Sequence, residues 1–144
     1  ESADPRAFPR HPLVGVGVVV RRGDEILLVE RGHPPMEGLW SVPGGAVELG
    51  EATQAAAARE VLEETGIAVA VDRLLTVVDR LHRDPDGRIH YHYVLVEYEA
   101  HPLDPRAEPR ASSDARRARW VPLADTPNYR LVPNLDEILA LVRR

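Results

Sequence analysis

Residues 45–67 read GAVELGEATQAAAAREVLEETGI: Gly45, five residues, Glu51, seven residues, then Arg59-Glu60-Val61-Leu62-Glu63-Glu64-Thr65-Gly66-Ile67. The alanine-rich middle predicts a helix from about Gly50 or Glu51 to Thr65, with Gly66 as its stop. At about 100° per residue, Glu60, Glu63 and Glu64 fall within roughly 100° of one another, with Ala55, Ala58 and Leu62 on the opposite side. The helix is therefore expected to pack on its alanines and leucine and to present a wall of carboxylates. Acids at i, i+3 and i+4 repel by a few tenths of a kcal/mol per pair, and a hard divalent cation with oxygen ligands would remove that repulsion. On an ideal helix Glu51 falls on the alanine side, so it joins the acids only if the first turn deviates or the helix begins after it.

Elements on either side extend the frame. Leu13–Val20 reads as a strand buried on both faces, in which Gly15 and Gly17 clear one face for a substrate or for another packed element. Gly23-Asp24 turns the chain into a second strand, 25–30, and residues 32–38 form an irregular loop. Two further strands, 67–80 and 88–100, flank the turn Asp84-Pro85-Asp86-Gly87. A proline-rich loop follows at 101–113, then a short strand at 119–121 and an amphipathic helix at 134–144 carrying Leu135, Ile138, Leu139 and Val142. Strands around a central helix, with another helix at the end, predict an α/β fold in which a mixed sheet lies between helices. Residues 1–12, with three prolines and no periodicity, are expected to form a flexible arm ahead of one domain spanning 13–144.

Composition narrows the function classes. At 144 residues the chain is one domain's worth. It has no cysteine, so neither a disulfide framework nor a thiolate metal site is available. No apolar span reaches membrane-crossing length, and the expectation is a soluble, cytoplasmic protein. A net charge of −5 argues against a nucleic-acid groove. All 18 basic residues are arginine, so residue type alone singles out no phosphate ligand.

The block Gly45–Ile67 resembles, position for position, the signature of the Nudix (MutT-like) hydrolases, with Val61 and Ile67 at its aliphatic positions. The resemblance is tight over 40–67 and looser over 13–143. It implies the Nudix fold, an α/β/α sandwich on a mixed sheet, and a Mg²⁺-dependent pyrophosphohydrolase, with Mn²⁺ as the alternative metal. By resemblance Glu60 and Glu64 are metal ligands, Glu63 a further ligand, the Gly44 carbonyl a backbone ligand, and Glu51 an assistant to the cluster. Arg59, four residues before Glu63, is placed to hold the glutamates in position. The catalytic set is then Glu60, Glu63, Arg59 and Asp114, the last standing six residues before Trp120, where a MutT-like enzyme carries an extra acid.

Other residues compete for roles. Glu97 and Glu99 share a strand face with Tyr91, Tyr93 and Leu95, and either could reach the metals. His90 and His92 lie at i, i+2 with no third ligand nearby, so packing is the preferred reading. Tyr91, Tyr93 and Tyr98 could stack a base or fill the core. The stretch 84–98 looks similar to ADP-ribose pyrophosphatase-like members, which implies a nucleoside diphosphate linked to another moiety, ADP-ribose first, as the small-molecule substrate. Triphosphate cleaning of the MutT kind is the rival, and a non-catalytic nucleotide sensor is a third reading. The family also suggests a homodimer.

Overall fold

The computed structural model describes residues 4–112 and 114–142. Its elements run β1 (Leu13–Arg22), β2 (Glu25–Arg31), β3 (Trp40–Ser41), β4 (Gly44–Ala46), α1 (Thr53–Thr65), β5 (Val69–Arg83), β6 (Ile89–Pro102), β7 (Ala115–Pro122), a 3₁₀ turn (Leu123–Asn128) and α2 (Leu135–Val142). The main sheet has the order β3-β2-β1-β6-β5, with β4 also paired to β1 and β7 to β2. Among the described strands only β1 and β6 pair in parallel, from Leu13 opposite Tyr93 to Val20 opposite Ala100. The sheet is therefore mixed.

Strand alternation builds two cores. Val16, Val18, Val20 and Leu27 face α1, where they meet Ala56, Ala57 and Val61. Val19, Ile26 and Leu28 face the other way, toward Leu135, Ile138, Leu139 and Val142 of α2. The two-residue period of β1 and β2 thus feeds both faces with apolar side chains, as a doubly covered sheet requires. Helix, mixed sheet and helix form the expected sandwich.

β1 splays away from β2. Its C-terminal end pairs with β2 at Arg21 and Arg22, whereas its middle, Gly15–Gly17, pairs with β4. The short strand β4 thereby fills a gap between two strands, and the opening beside it is where the site forms.

Several expected boundaries move. α1 begins at Thr53, after a turn in which the Glu51 amide donates to the Glu48 carbonyl at 3.0 Å. It ends as expected, with Gly66 at φ 77° and its N–H donating to the Leu62 carbonyl. β7 is eight residues long, not three, because Arg116, Arg117 and Arg119 keep their side chains out while the backbone pairs with β2. Val14, expected to be buried, is exposed near the start of β1. Of the expected arm, residues 1–3 lie outside the described residues. Residues 4–8 lie on β6: the Tyr91 hydroxyl donates to Asp4 at 3.0 Å, and Phe8 stacks on His90 at 4.6 Å. The last two residues of the predicted closing helix also lie outside the description. No described helix is long and apolar enough to cross a membrane.

Candidate active site

The helix α1 turns two of its three acids, Glu60 and Glu64, the opposite way from the expectation, while Glu63 stays exposed and Ala58 packs against the core as expected. Ala56, Ala57, Val61 and Thr65 are its buried residues, while Ala55 is exposed and Leu62 is 51% exposed. Glu60 and Glu64 fall within the arc from Ala56 to Thr65, so both carboxylates point inward. Helical periodicity fixes the angles among side chains but not which arc meets the sheet. Here the sheet decides, because β4 offers carboxylates room and a donor. A Cβ on Gly45 would collide with the Glu60 carboxylate, and the Gly44 N–H donates to Glu64 Oε2 at 3.1 Å.

Arg59 organises the remaining acids. Its guanidinium donates to both oxygens of Glu51, at 2.7 and 2.9 Å, and to Glu60 and Glu63, each at 3.1 Å. A fifth bond, at 3.0 Å, goes to the Ala46 carbonyl. One planar fork thus ties the turn before α1, β4 and the helix together, a geometry that lysine could not reproduce. Glu51 meets this cluster because the helix starts after it.

The inward acids resist ionisation. Burial, first, pushes the Glu64 carboxyl up to about 8; Glu60 and Asp114 add repulsion, while the Gly44 N–H and Arg31 oppose the shift. Glu60 is also raised, chiefly by burial and then by Glu63, with Arg59 opposing. Glu51 is lowered, chiefly by its bonds from Arg59. Two carboxylates that repel each other in a partly dehydrated space, with hard oxygen donors, suit a divalent cation. The full expected ligand set does not converge, however. Among the described residues no three acid or histidine side chains stand close enough to enclose an ion, because Arg59 draws Glu51 and Glu63 aside and Glu63 stays 58% exposed in its side chain.

Glu60 and Glu64 open into a cavity of about 220 Å³ lined also by Gly44, Gly45, Asp114, Arg31, Arg80 and Glu97. Asp114, expected from the sequence, thus borders the same space from just ahead of β7, with its side chain 68% exposed and His33 4.0 Å away. Glu97 is only 2% exposed, and burial pushes its carboxyl up to about 7 against the opposing charge of Arg80. Glu99 instead pairs with Arg73 at 2.8 Å, away from the cavity. Of the tyrosines, Tyr93 lines the cavity, whereas Tyr98 shares a 2.6 Å hydrogen bond with Thr53 under α1. His90 stacks between Phe8 and Tyr91 and joins no metal-binding group among the described residues.

Arg31 and Arg80 were not singled out by the sequence. Burial lowers both from the ordinary arginine value, so each is a partly dehydrated cation facing the cavity. In a chain whose every cation is arginine, nothing local marks them. Their position follows only once the end of β2 and the C-terminal part of β5 are seen to border the same cavity.

The NUDIX domain model matches residues 11–142. The chain belongs to the Nudix family. A solved MutT NUDIX hydrolase from Burkholderia pseudomallei shares 35% identity with it at a TM-score of 0.75, covering 92% of this chain and 99% of that one. An ADP-ribose pyrophosphatase of Methanocaldococcus jannaschii is 34% identical over 81% of this chain, and the aligned part spans 66% of that protein's length. A putative 8-oxo-dGTP diphosphatase 2 of Mycobacterium tuberculosis is 38% identical over 84% of this Nudix chain and 80% of its own length.

Proposed function

We propose that this Nudix protein is a Mg²⁺-dependent pyrophosphohydrolase that cleaves a nucleoside diphosphate linked to another moiety, with ADP-ribose split into AMP and ribose 5-phosphate as the first substrate to consider. The observation that carries the reading is the inward pair Glu60 and Glu64 opening into a cavity that also holds the dehydrated cations Arg31 and Arg80. Phosphoanhydride cleavage asks little covalent help of a protein; it asks for charge neutralisation, an aligned water and a base.

Glu60 and Glu64 would hold the cation, with the Gly44 backbone, Glu63 and Glu51 completing or supporting the set. Bound there, a divalent ion would neutralise the diphosphate and draw water toward phosphorus. The chain's own residues do the rest. Arg59 keeps Glu51, Glu60 and Glu63 in register. Arg31, whose Nε donates to the Pro35 carbonyl at 2.7 Å, holds a fixed positive charge beside Glu64. Asp114, which borders the cavity, and Glu63, exposed beside it on Arg59, are the candidates to take the proton from the attacking water. As the water oxygen bonds to phosphorus, the bridging P–O bond breaks and the departing phosphate leaves with that electron pair.

Triphosphate cleavage of the MutT kind is the second reading, favoured by Asp114 standing on the same cavity as Glu64. The name of the Mycobacterium tuberculosis relative supports it, as that of the Methanocaldococcus jannaschii protein supports ADP-ribose. Glu64→Gln and Glu63→Gln separate an enzyme from a nucleotide sensor. Both variants are expected to lose Mg²⁺-dependent phosphate release while staying folded and melting no lower than the parent, and unchanged turnover would sink the assignment of the acids.

A further inference from the structure

Among the described residues, two buried side-chain atoms have no hydrogen-bond partner, Glu97 Oε1 and His82 Nε2. Both residues line the one cavity that also holds Glu60 and Glu64. Buried polar atoms are almost always paired, and leaving one unpaired costs about 1–3 kcal/mol. Two orphans in one cavity therefore mark a place shaped for groups brought by a ligand.

We propose that Glu97 is a specificity-determining residue whose carboxylate accepts hydrogen bonds from two adjacent donors on an uncharged part of the substrate. The inference rests on the hydrolase reading for the position of the phosphates, but not on which nucleotide is cleaved. Four observations carry it.

The first is chemical. An ionised carboxylate only accepts, and its two oxygens suit a pair of neighbouring N–H or O–H groups. A phosphate would meet like charge at Glu97, so the diphosphate belongs at the other end, beside Arg31 and the acid pair.

The second is how the carboxylate is seated. β6 runs parallel to β1 with Glu97 opposite Gly17, and a Cβ on Gly17 would collide with both carboxylate oxygens. Only a glycine there lets the Glu97 carboxylate lie flat against the β1 backbone. Glu99, one step along the same face, sits opposite Val19 and turns away to Arg73.

The third is the absence of an internal partner. Arg80 supplies the charge that opposes the burial of Glu97, yet the two form no ion pair or hydrogen bond among the described residues. The fourth is the cavity wall, where Val29, Met36 and Leu95 give an apolar lining suited to a flat or ring-shaped group. His82, with its free Nε2 in the same space, would add one more contact.

Two substrate groups present such a donor pair. One is the N1–H and 2-amino edge of a guanine-type base, and the other is the cis-diol of a ribose. Binding of monophosphates in Mg²⁺ buffer, followed by calorimetry, tells them apart. Reading of the base predicts GMP at least tenfold tighter than IMP, which lacks the amino donor. Reading of the diol predicts AMP at least tenfold tighter than 2′-deoxy-AMP. In either case Glu97→Gln, which replaces one acceptor with a donor, erases that discrimination. Glu97→Asp, which keeps the charge but draws it back, erases it as well. The ligand pairs with the unaltered protein test the idea even if a variant fails to fold, which circular dichroism would reveal.

The proposal is overturned if the parent protein discriminates within neither pair, or if both folded variants keep the parent's ratios. Phosphate release, measured alongside, keeps the two claims apart. Hydrolysis with unchanged ratios would remove the subsite and leave the reaction, whereas discrimination lost in Glu97→Gln without any hydrolysis would do the reverse.

Discussion

The stability of the metal-free protein should fall as pH rises through neutrality, and Glu97 should account for a defined part of the fall. Its carboxyl is 2% exposed and pushed up to about 7 from an ordinary 4.5, chiefly by burial. A raised folded value means that the folded state holds this proton more tightly than the unfolded chain does. The resulting stabilisation is complete below the unfolded value and lost as pH climbs through the folded one. With about 1.4 kcal/mol for each tenfold in proton affinity, the full effect is about 3 kcal/mol, of which about 2.5 kcal/mol lies between pH of about 5 and 8. Glu97→Gln carries an uncharged isostere of the protonated acid and lacks this dependence. Urea unfolding of both proteins in chelator, at several pH values across that window, isolates the contribution as a difference. Glu64 titrates in the same direction in both proteins and cancels. Relative to its standing near pH 5, the parent should fall against the variant by about 2.5 kcal/mol near pH 8. Parallel curves, or a parent that gains on the variant as pH rises, would refute the buried, unpaired state of this carboxyl.

Arg59→Lys keeps one charge but loses the fork that reaches Glu51, Glu60, Glu63 and the Ala46 carbonyl at once. Turnover should drop at least tenfold in steady-state assays, with a higher Mg²⁺ requirement, because the acids lose their common anchor. Leu139 of α2 is fully buried in the core opposite α1, so Leu139→Ala should cost about 3 kcal/mol in urea unfolding. A loss below about 1 kcal/mol would mean that α2 packs more loosely than described.

What was legible in the sequence and what was not divide along the line between local and non-local information. The signature spacing marked the acids, Arg59 and the Gly66 stop, because each depends on neighbours within a few turns. Alternation in β1 and β2 announced a doubly covered sheet, since Val16, Val18 and Val20 on one side and Val19 on the other leave no polar face. The orientation of α1 was lost, because the Ala55 and Leu62 arc looks as suited to a core as the Ala56 and Val61 arc until Gly44 and Gly45 are placed beneath it. Strand alternation put Glu97 and Glu99 on one face and could not choose between them. The choice came from register, which set Gly17 opposite one and Val19 opposite the other. Gly15 and Gly17 did signal a close approach. For Gly17 what approaches is the Glu97 carboxylate, and for Gly15 it is Leu95, whose Cδ2 lies 2.8 Å from where a Cβ would stand. The extent of β7 was hidden by its arginines, which read as loop but pair along β2.

Release of phosphatase-labile phosphate from a panel of ADP-ribose, NADH, GDP-mannose, diadenosine polyphosphates and normal and oxidised nucleoside triphosphates, with Mg²⁺ and with chelator, tests the central claim most directly. The account predicts turnover of at least one of these that needs the divalent cation and disappears in Glu64→Gln. No release from any of them by folded protein in Mg²⁺, or release that persists unchanged in chelator, would contradict it.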